Sequence, residues 1–394
     1  MSWSRFNKRI ADVCEVIAGQ SPEGKYYNKI GRGLPFYQGK KEFTEKVLGE
    51  PTTWTTKVTK EAIANDILMS VRAPVGPINV ATQKICIGRG LAAIRASEEV
   101  NNDYLFYYLL KHESEIVGNI GAVFNSINKS QIGNIQIPIP PLEEQKQIVV
   151  ILDKAFAAID QAKANIEKNM ENAKELFESK KEEIFDKLSL ENEVKSIEDA
   201  CDKIFAGGDA PKDNFSKEKT KEFNIPIIAN AVKENGLYGY TNEARVTEPS
   251  ITVAARGSGT GHTEYRDYPY VPIVRLIVLI PNTDVINVEF LMHAIKTLTI
   301  LRSGSAIPQL TVPMIKSYSI PLPKLDKQLQ IIEILNDLEL QLSKYQCSLD
   351  EKLNNLEDLK KSILQKAFAG ELTYNKDIIP LKQVAEPMAT YSKK

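Results

Sequence analysis

The chain has 394 residues, room for two domains that each bury a core, and its 43% hydrophobic and 26% charged content are those of a soluble globular protein. A net charge of −1 excludes a uniformly basic nucleic-acid coat, but the sum hides a division. Residues 1–141 carry 17 Lys/Arg against 13 Asp/Glu, residues 142–194 carry 8 against 13, residues 195–324 carry 15 against 14 and residues 325–394 carry 10 against 11.

The acidity therefore sits mainly on residues 142–194, and the mildly positive parts permit DNA binding without demonstrating it. The opening Met1-Ser2-Trp3-Ser4-Arg5 is polar and basic, unlike a secretory signal. The most apolar run, Ile273 to Ile280, is too short to cross a bilayer and contains Arg275. Cys14, Cys86, Cys201 and Cys347 form no Cys-x-x-Cys pair, so neither a zinc knuckle nor a disulfide framework is encoded. A reducing, cytoplasmic setting is the expectation.

In chain order, residues 1–141 mix short β-branched runs with Gly, Pro and Asn punctuation. Ile67 to Arg72 reads as a strand ending in Arg before a Gly-containing turn, a short helix is expected near Tyr104–Lys111, and a Gly-containing loop, Gly121 to Ile127, follows. Residues 142–188 lack Pro and Gly and read as one long helix with Leu152, Ile159, Ile166 and Ala173 at seven-residue spacing. Residues 195–324 return to the first style, with a strand Ile251 to Arg256, a helix near Glu289–Lys296 and a loop Gly304 to Leu310. Residues 325–370 read as a second long helix, with Leu335, Leu342, Leu349, Leu356 and Ile363 in heptad register and Leu338, Tyr345 and Leu359 three residues after members of that series. Each helix would be about 65–70 Å long at 1.5 Å per residue. The two are expected to pair antiparallel as a coiled coil, because each follows its own globular domain; a helix packed across a globular core is the alternative.

The chain also repeats itself. Residues 137–152 (Ile-Pro-Ile-Pro-Pro-Leu-Glu-Glu-Gln-Lys-Gln-Ile-Val-Val-Ile-Leu) and residues 320–335 match at nine of sixteen positions with a shift of 183, too long for a solenoid period, so the repeated unit is a whole domain plus an appendage. A fainter pattern recurs every 187 residues, at Lys8–Asp12, Lys195–Asp199 and Lys382–Glu386. It suggests a circular order in which each long helix leads into the opening strand of a domain.

Catalytic motifs are missing. The nearest glycine-rich loop, Arg256 to His262, lacks the Lys of a phosphate loop, and no helix pattern follows it. No Asn/Asp-Pro-Pro-aromatic tetrapeptide or Gly-x-Ser-x-Gly elbow occurs, and His112, His262 and His293 show no metal-binding spacing.

The doubled Ile-Pro-x-Pro-x-Leu-x-x-Gln-x-x-Ile motif, each copy opening a long heptad helix, resembles the specificity (S) subunit of type I restriction-modification systems. Gln365-Lys366-Ala367-Phe368-Ala369-Gly370-Glu371-Leu372 supports the resemblance; the first helix departs from it, ending Ile184-Phe185-Asp186-Lys187-Leu188. The resemblance implies an α+β fold: two mixed α/β target-recognition domains joined by two long helices in an antiparallel coiled coil, a pseudo-twofold internal repeat. It implies target-recognition domain 1 over 1–141, the first long helix over 142–190, domain 2 over 191–324, the second helix over 325–371 and a C-terminal tail over 372–394. Each domain would read one half of a split double-stranded DNA target, and the helices would set the gap and dock two modification subunits, with restriction subunits joining them. The chain would be non-catalytic and hold no cofactor, S-adenosylmethionine, ATP and Mg belonging to the partner subunits.

Phosphate contacts favour Lys, Arg and small polar residues, and base reading favours Arg or Lys on guanine and Asn or Gln on adenine. On that basis the expected DNA contacts are Lys40, Lys41, Arg72, Arg89, Asn125, Asn128 and Lys129 in the first domain, and Arg245, Arg256, Ser258, His262, Arg302 and Gln309 in the second. Leu142, Gln145, Ile148, Leu325, Gln328 and Ile331 are the expected partner contacts. A coiled-coil scaffold with two protein- or carbohydrate-binding domains remains the rival reading, and a nuclease with carboxylates gathered from distant positions a second.

Overall fold

The computed structural model describes residues 6–118, 126–257, 259–298 and 309–372; Asn125, Ser258, Arg302 and the third copy of the opening pattern at 382–386 lie outside the described residues. The chain divides into two units, residues 1–166 with 351–394 and residues 167–350.

In the first unit, β1 (Asn7–Arg9), α1 (Ile10–Val13) and β2 (Cys14–Ala18) open the chain. They are followed by β3 (Tyr27–Asn28), β4 (Leu34–Tyr37), β5 (Trp54–Thr55), β6 (Glu61–Ala62), β7 (Ile67–Ser70), β8 (Ile78–Val80), β9 (Ile85–Ile87) and β10 (Leu91–Ala96). Helices α2 (Asn102–Gly118) and α3 (Lys129–Gly133), strand β11 (Gln136–Pro138) and the long helix α4 (Leu142–Glu191) come next. An antiparallel sheet of order β2-β10-β7-β8 forms the middle layer. Alternation along β7 sends Ile67 and Met69 into the helical core and Leu68 into the core beneath a second, five-stranded sheet of order β3-β5-β4-β9-β6. That is why the strand has four apolar-to-small residues and none exposed: both of its faces are covered.

The second unit rebuilds the same middle layer. Its elements are β12 (Val194–Ser196), β13 (Cys201–Ala206), β14 (Ile225–Ile228), β15 (Leu237–Thr241), β16 (Ser250–Ala254), β17 (Thr263–Arg266), β18 (Val271–Pro272) and β19 (Leu276–Pro281). Then come α5 (Val288–Thr297), α6 (Val312–Ser317), β20 (Ser319–Pro321) and the long helix α7 (Leu325–Ala369). The antiparallel order β13-β19-β16-β17 matches β2-β10-β7-β8 strand for strand. The second sheet does not match: it has three strands, ordered β15-β14-β18.

Each unit contains part of both long helices, and in each they run antiparallel. In the first unit, Ile148, Leu152 and Phe156 of early α4 share a core with Leu364, Ala367 and Phe368 of late α7. Lys360 Nζ sits 4.6 Å above the Phe156 ring, and Lys163 pairs with Glu357. In the second unit, Phe185 and Leu188 of late α4 pack with Ile331, Ile332 and Leu335 of early α7. The heptad reading holds at Leu335 and Leu349, which are buried, whereas Tyr345 and Leu359 stay 45% exposed because a two-helix seam covers only part of its apolar stripe.

The two sequence repeats meet as paired strands. β1 pairs antiparallel with β11, Lys8 opposite Ile137, and β12 pairs with β20, Lys195 opposite Ile320. The backbone bonds that follow also correspond, Ile10 N to Ile135 O at 2.9 Å and Ile197 N to Tyr318 O at 2.8 Å.

The glutamine of the repeated motif has an internal role. Gln145 is fully buried; its Nε2 donates to the carbonyls of Pro140 (2.8 Å) and Glu99 (3.0 Å), and its Oε1 accepts from Asn101 N (2.8 Å). Gln328, equally buried, repeats the pattern with Pro323 O (2.8 Å), Val285 O (2.9 Å) and Asn287 N (2.7 Å). Each amide thus ties the first turn of a long helix to the start of the helix that covers the sheet, where Asn101 and Asn287 supply side-chain acceptors to the backbone. An apolar substitute would leave one buried carbonyl, of Pro140 or Pro323, and two half-buried backbone groups without partners.

His293 of α5 is 1% exposed, and neither ring nitrogen makes a well-formed hydrogen bond among the described residues. Burial pushes its pKa down to about 4, helped by Lys296 and Lys181 and opposed by Glu289 and the Asn336 side chain; the Glu339 carboxylate lies 3.9 Å from Nδ1. The unfolded chain takes up a proton near pH 6.5, while the folded one resists until about pH 4. The unfolded state therefore binds more protons inside that window, and stability falls as pH drops through it, by about 1.4 kcal/mol per pH unit.

Two outcomes are expected. Gln145→Leu lowers stability by about 2–4 kcal/mol in chemical denaturation, and an unshifted midpoint contradicts the assigned role. His293→Leu flattens the stability profile between pH 6.5 and 4 relative to the parent chain; parallel profiles for the two proteins contradict a neutral buried imidazole.

Candidate nucleic-acid interface

The predicted contacts of the first unit gather at one end of the shared sheet through a relay of backbone bonds. Ile127 N donates to Val71 O (3.0 Å), Val71 N to Gly90 O (2.9 Å) and Gly90 N to Gln38 O (3.1 Å). This relay joins the segments bearing Asn128 and Lys129, Arg72, Arg89, and Lys40 with Lys41. Arg72 bridges Ser126 through the backbone, and Ser70 Oγ donates to the carbonyls of Arg72 (3.2 Å) and Pro74 (3.0 Å), fixing the turn. Ser21 Oγ accepts from Arg89 N at 3.1 Å. The side chains of Lys40, Lys41, Arg72, Arg89 and Lys129 are exposed. Asn128 is exposed too, but its Oδ1 caps α3 by accepting from Gln131 N at 2.9 Å, and Gln131 returns a bond to Asn128 N at 2.9 Å.

The second unit repeats the relay. Leu310 N donates to Ala255 O (2.8 Å), Ala255 N to Arg275 O (3.2 Å), and Arg256 bridges Gln309. Asn230 holds this strand end: Oδ1 accepts from Ala255 N (2.5 Å) and Arg256 N (3.1 Å), and Nδ2 donates to Arg256 O (2.7 Å). Arg245 is exposed, its guanidinium 5.4 Å over the Phe205 ring, and a Cβ at Gly208 would meet its Nη1 at 2.6 Å. Gly208 in turn bridges Ile273, so Arg245, Arg256 and Arg275 belong to segments that converge. His262 sits elsewhere. Its Nε2 is 3.1 Å from Glu264 Oε1, and it lines a polar cavity of about 500 Å³ with Lys181, Lys296 and Glu339.

Commitment separates the arginines. Arg9 binds Asp12, Arg95 binds Asp66 and Glu15, and Arg266 is buried on Thr252, Tyr268 and Asn235. Arg72, Arg89, Arg256 and Arg275 make no side-chain hydrogen bond or ion pair among the described residues. Among the described residues they are donors without an acceptor.

Of the expected partner contacts, Leu142 and Leu325 are each 38% exposed, whereas Gln145, Ile148, Gln328 and Ile331 are buried within the units. The sequence reading missed Asn230, whose clamp exists only in three dimensions. It also passed over Arg275, noticed only as the charge inside an apolar run.

Cys14 and Cys201 begin β2 and β13, at the ends of those strands away from the arginines, and burial pushes their thiols up to about 11 and about 12, away from a reactive thiolate. Among the described residues no group of three or more His, Cys, Asp and Glu could hold a metal ion, and no helix is long and apolar enough to cross a membrane.

A common framework built twice, with uncommitted arginines at corresponding strand ends, defines a protein that recognises two related partners or two halves of one. The profile of the family described as type I restriction modification DNA specificity domain matches residues 4–172 and 189–353. The chain belongs to this family of non-catalytic specificity subunits and is a DNA-sequence recognition subunit with two target-recognition domains. A putative MjaX specificity subunit of Methanocaldococcus jannaschii is 47% identical over 163 residues, 41% of this chain and 38% of that one. A putative specificity subunit of Mycoplasma pneumoniae, S.MpnORF89P, is 33% identical over 302 residues, 74% of this chain and 84% of that one. The fold is similar to that of the HsdS subunit from Thermoanaerobacter tengcongensis, with TM-score 0.55 and 17% identity over 93% of this chain and 96% of that one. A chain solved in work on assembly and conformational transition of the type I R-M system gives TM-score 0.69, also at 17% identity, over 93% and 97%.

Proposed function

We propose that each unit reads one half of a bipartite double-stranded DNA target through the end of its shared sheet. The observation that carries this is the pairing of a matched four-stranded sheet with unmatched second sheets, five strands against three. A constant frame fixes how a head approaches DNA, and a variable layer lets the two half-targets differ.

Arg72, Arg89 and Lys129 in the first unit, and Arg245, Arg256 and Gln309 in the second, are the foremost readers. Lys40 and Lys41 supply phosphate contacts; Asn128 keeps only its Nδ2 for DNA. Asn125, Ser258 and Arg302 keep their proposed contacts from the sequence, and His262 contributes at the border of the second surface. The partners are two modification subunits, docked on the long helices with Leu142 and Leu325 among the exposed contacts, and the restriction subunits that join them, in the cytoplasm with the DNA. The helices, which continue from one unit into the other, set the unspecified gap.

Methylated adenines mapped in DNA from cells expressing the chain with its modification subunit should reveal a split motif, and methylation without any split sequence would contradict the reading. With that target in hand, Arg72→Ala should weaken recognition of one half only, and Arg256→Ala the other half only, by about 1–3 kcal/mol each. Equal losses at both halves, or none, would remove these residues as readers. Affinity of the assembled complex should also fall log-linearly with added salt as phosphate contacts release counterions; salt-independent binding is the contrary result.

A further inference from the structure

A four-residue turn enters the central strand of the shared sheet at the same place in both units. Leu91 N closes on Gly88 O at 3.0 Å in the first, and Leu276 N closes on Ile273 O at 3.2 Å in the second. Both are anchored alike, Gly19 N on Leu91 O (2.9 Å) and Gly207 N on Leu276 O (2.7 Å). Each turn carries one arginine, but at different places. In Gly88-Arg89-Gly90-Leu91 it is the second residue; in Ile273-Val274-Arg275-Leu276 it is the third.

The shift has a cost. Arg275 adopts φ 69°, the left-handed region, at the turn position where glycine or asparagine is normally found. Among the described residues nothing recovers that cost. Arg275 is exposed, and its guanidinium makes no ion pair or hydrogen bond among the described residues. Its backbone carbonyl accepts from Ala255 N, next to Arg256, and its side chain borders a cavity of about 280 Å³ lined also by Gly207, Gln309 and Thr311. Glycine would serve the turn better, so the side chain has a use outside the chain.

We infer that Arg275 is a specificity-determining DNA contact of the second target-recognition domain. It takes the part of Arg89 in the first, but from a turn of different form, and so approaches its base pair from a different direction. This rests on the proposed DNA-facing strand ends and adds to them a residue whose backbone strain serves recognition.

The test uses the complex of the full chain with its modification subunits and a duplex carrying the mapped target, beside duplexes with either half scrambled. Arg275→Gly and Arg275→Asn both suit a left-handed turn, so the melting midpoint should be unchanged or higher. Affinity for the intact target should nevertheless fall roughly tenfold or more, with discrimination lost only in the second half. Arg275→Lys should recover little, because lysine cannot make the bidentate contact to guanine; full recovery of affinity by lysine, as at a phosphate, overturns the specificity-determining role. Wild-type affinity and discrimination in both the Gly and Asn variants overturn this inference and leave the general reading standing. A lower midpoint with losses shared between both halves overturns it as well, by making the role structural. A parent complex indifferent to scrambling either half overturns the proposed function and this inference with it.

Discussion

One buried side-chain amide per unit governs how the rest is arranged. Gln145 and Gln328 spend both donors and their acceptor on backbone groups of two segments that are far apart in sequence, Glu99–Asn101 with Pro140 and Val285–Asn287 with Pro323. In a low-dielectric interior such a network is costly to break, because each freed group loses water as well as its partner. The amide therefore fixes the direction in which a long helix leaves its domain. A protein that positions DNA-reading surfaces by means of helices needs that angle to be rigid. Leucine in its place would bury as much apolar surface but specify no angle.

This explains why the strongest sequence signal lay at the helix starts. The nine identities between residues 137–152 and 320–335 include the glutamine, the prolines that end β11 and β20, and the isoleucines that enter the cores. Six of the nine pairs are buried and answer to internal packing, so they repeat where the packing repeats; Leu142/Leu325, Gln147/Gln330 and Ile151/Ile334 are not. The same signal misdirected the choice of partner contacts: a repeated polar residue on a helix looked like a docking surface, and Gln145 and Gln328 are instead inside. Only the exposed Leu142 and Leu325 remain on the surface that the reading wanted. The long helices, the antiparallel pairing within each unit and the two sheet-bearing units were legible because heptads and Pro boundaries are local. The match between β2-β10-β7-β8 and β13-β19-β16-β17 was not, since strand order is set by distant pairings with little sequence identity between the units.

The strand ends that carry the candidate contacts were legible in part, for a related reason. An arginine placed just after an apolar strand, as at Arg72 and Arg256, announces a strand end. The structure joins both to corresponding bridges, Arg72 with Ser126 and Arg256 with Gln309. Asn128 illustrates the opposite case. Its type suited adenine, yet a helix N-terminus two residues after that bridge claims its oxygen, and Thr311 does the same service in the second unit by accepting from Met314 N. Residue type alone cannot tell a capping acceptor from a reading one. His262 likewise has an acidic neighbour of its own, Glu264, only two residues on, and lines a cavity with Lys181 and Glu339.

What distinguishes recognition from stability in this chain is whether a charged group has already been satisfied. Arg95 and Arg266 are spent on neighbours, and replacing either would damage a core before it touched any ligand. Among the described residues Arg72, Arg89, Arg256 and Arg275 are unspent, and in Arg275 the backbone also adopts a left-handed conformation. Selection for stability alone would place glycine there and pair the other three with carboxylates. Guanidinium groups left so at the strand ends of each unit suit the proposed reading, because a DNA duplex offers acceptors at every phosphate and guanine edge.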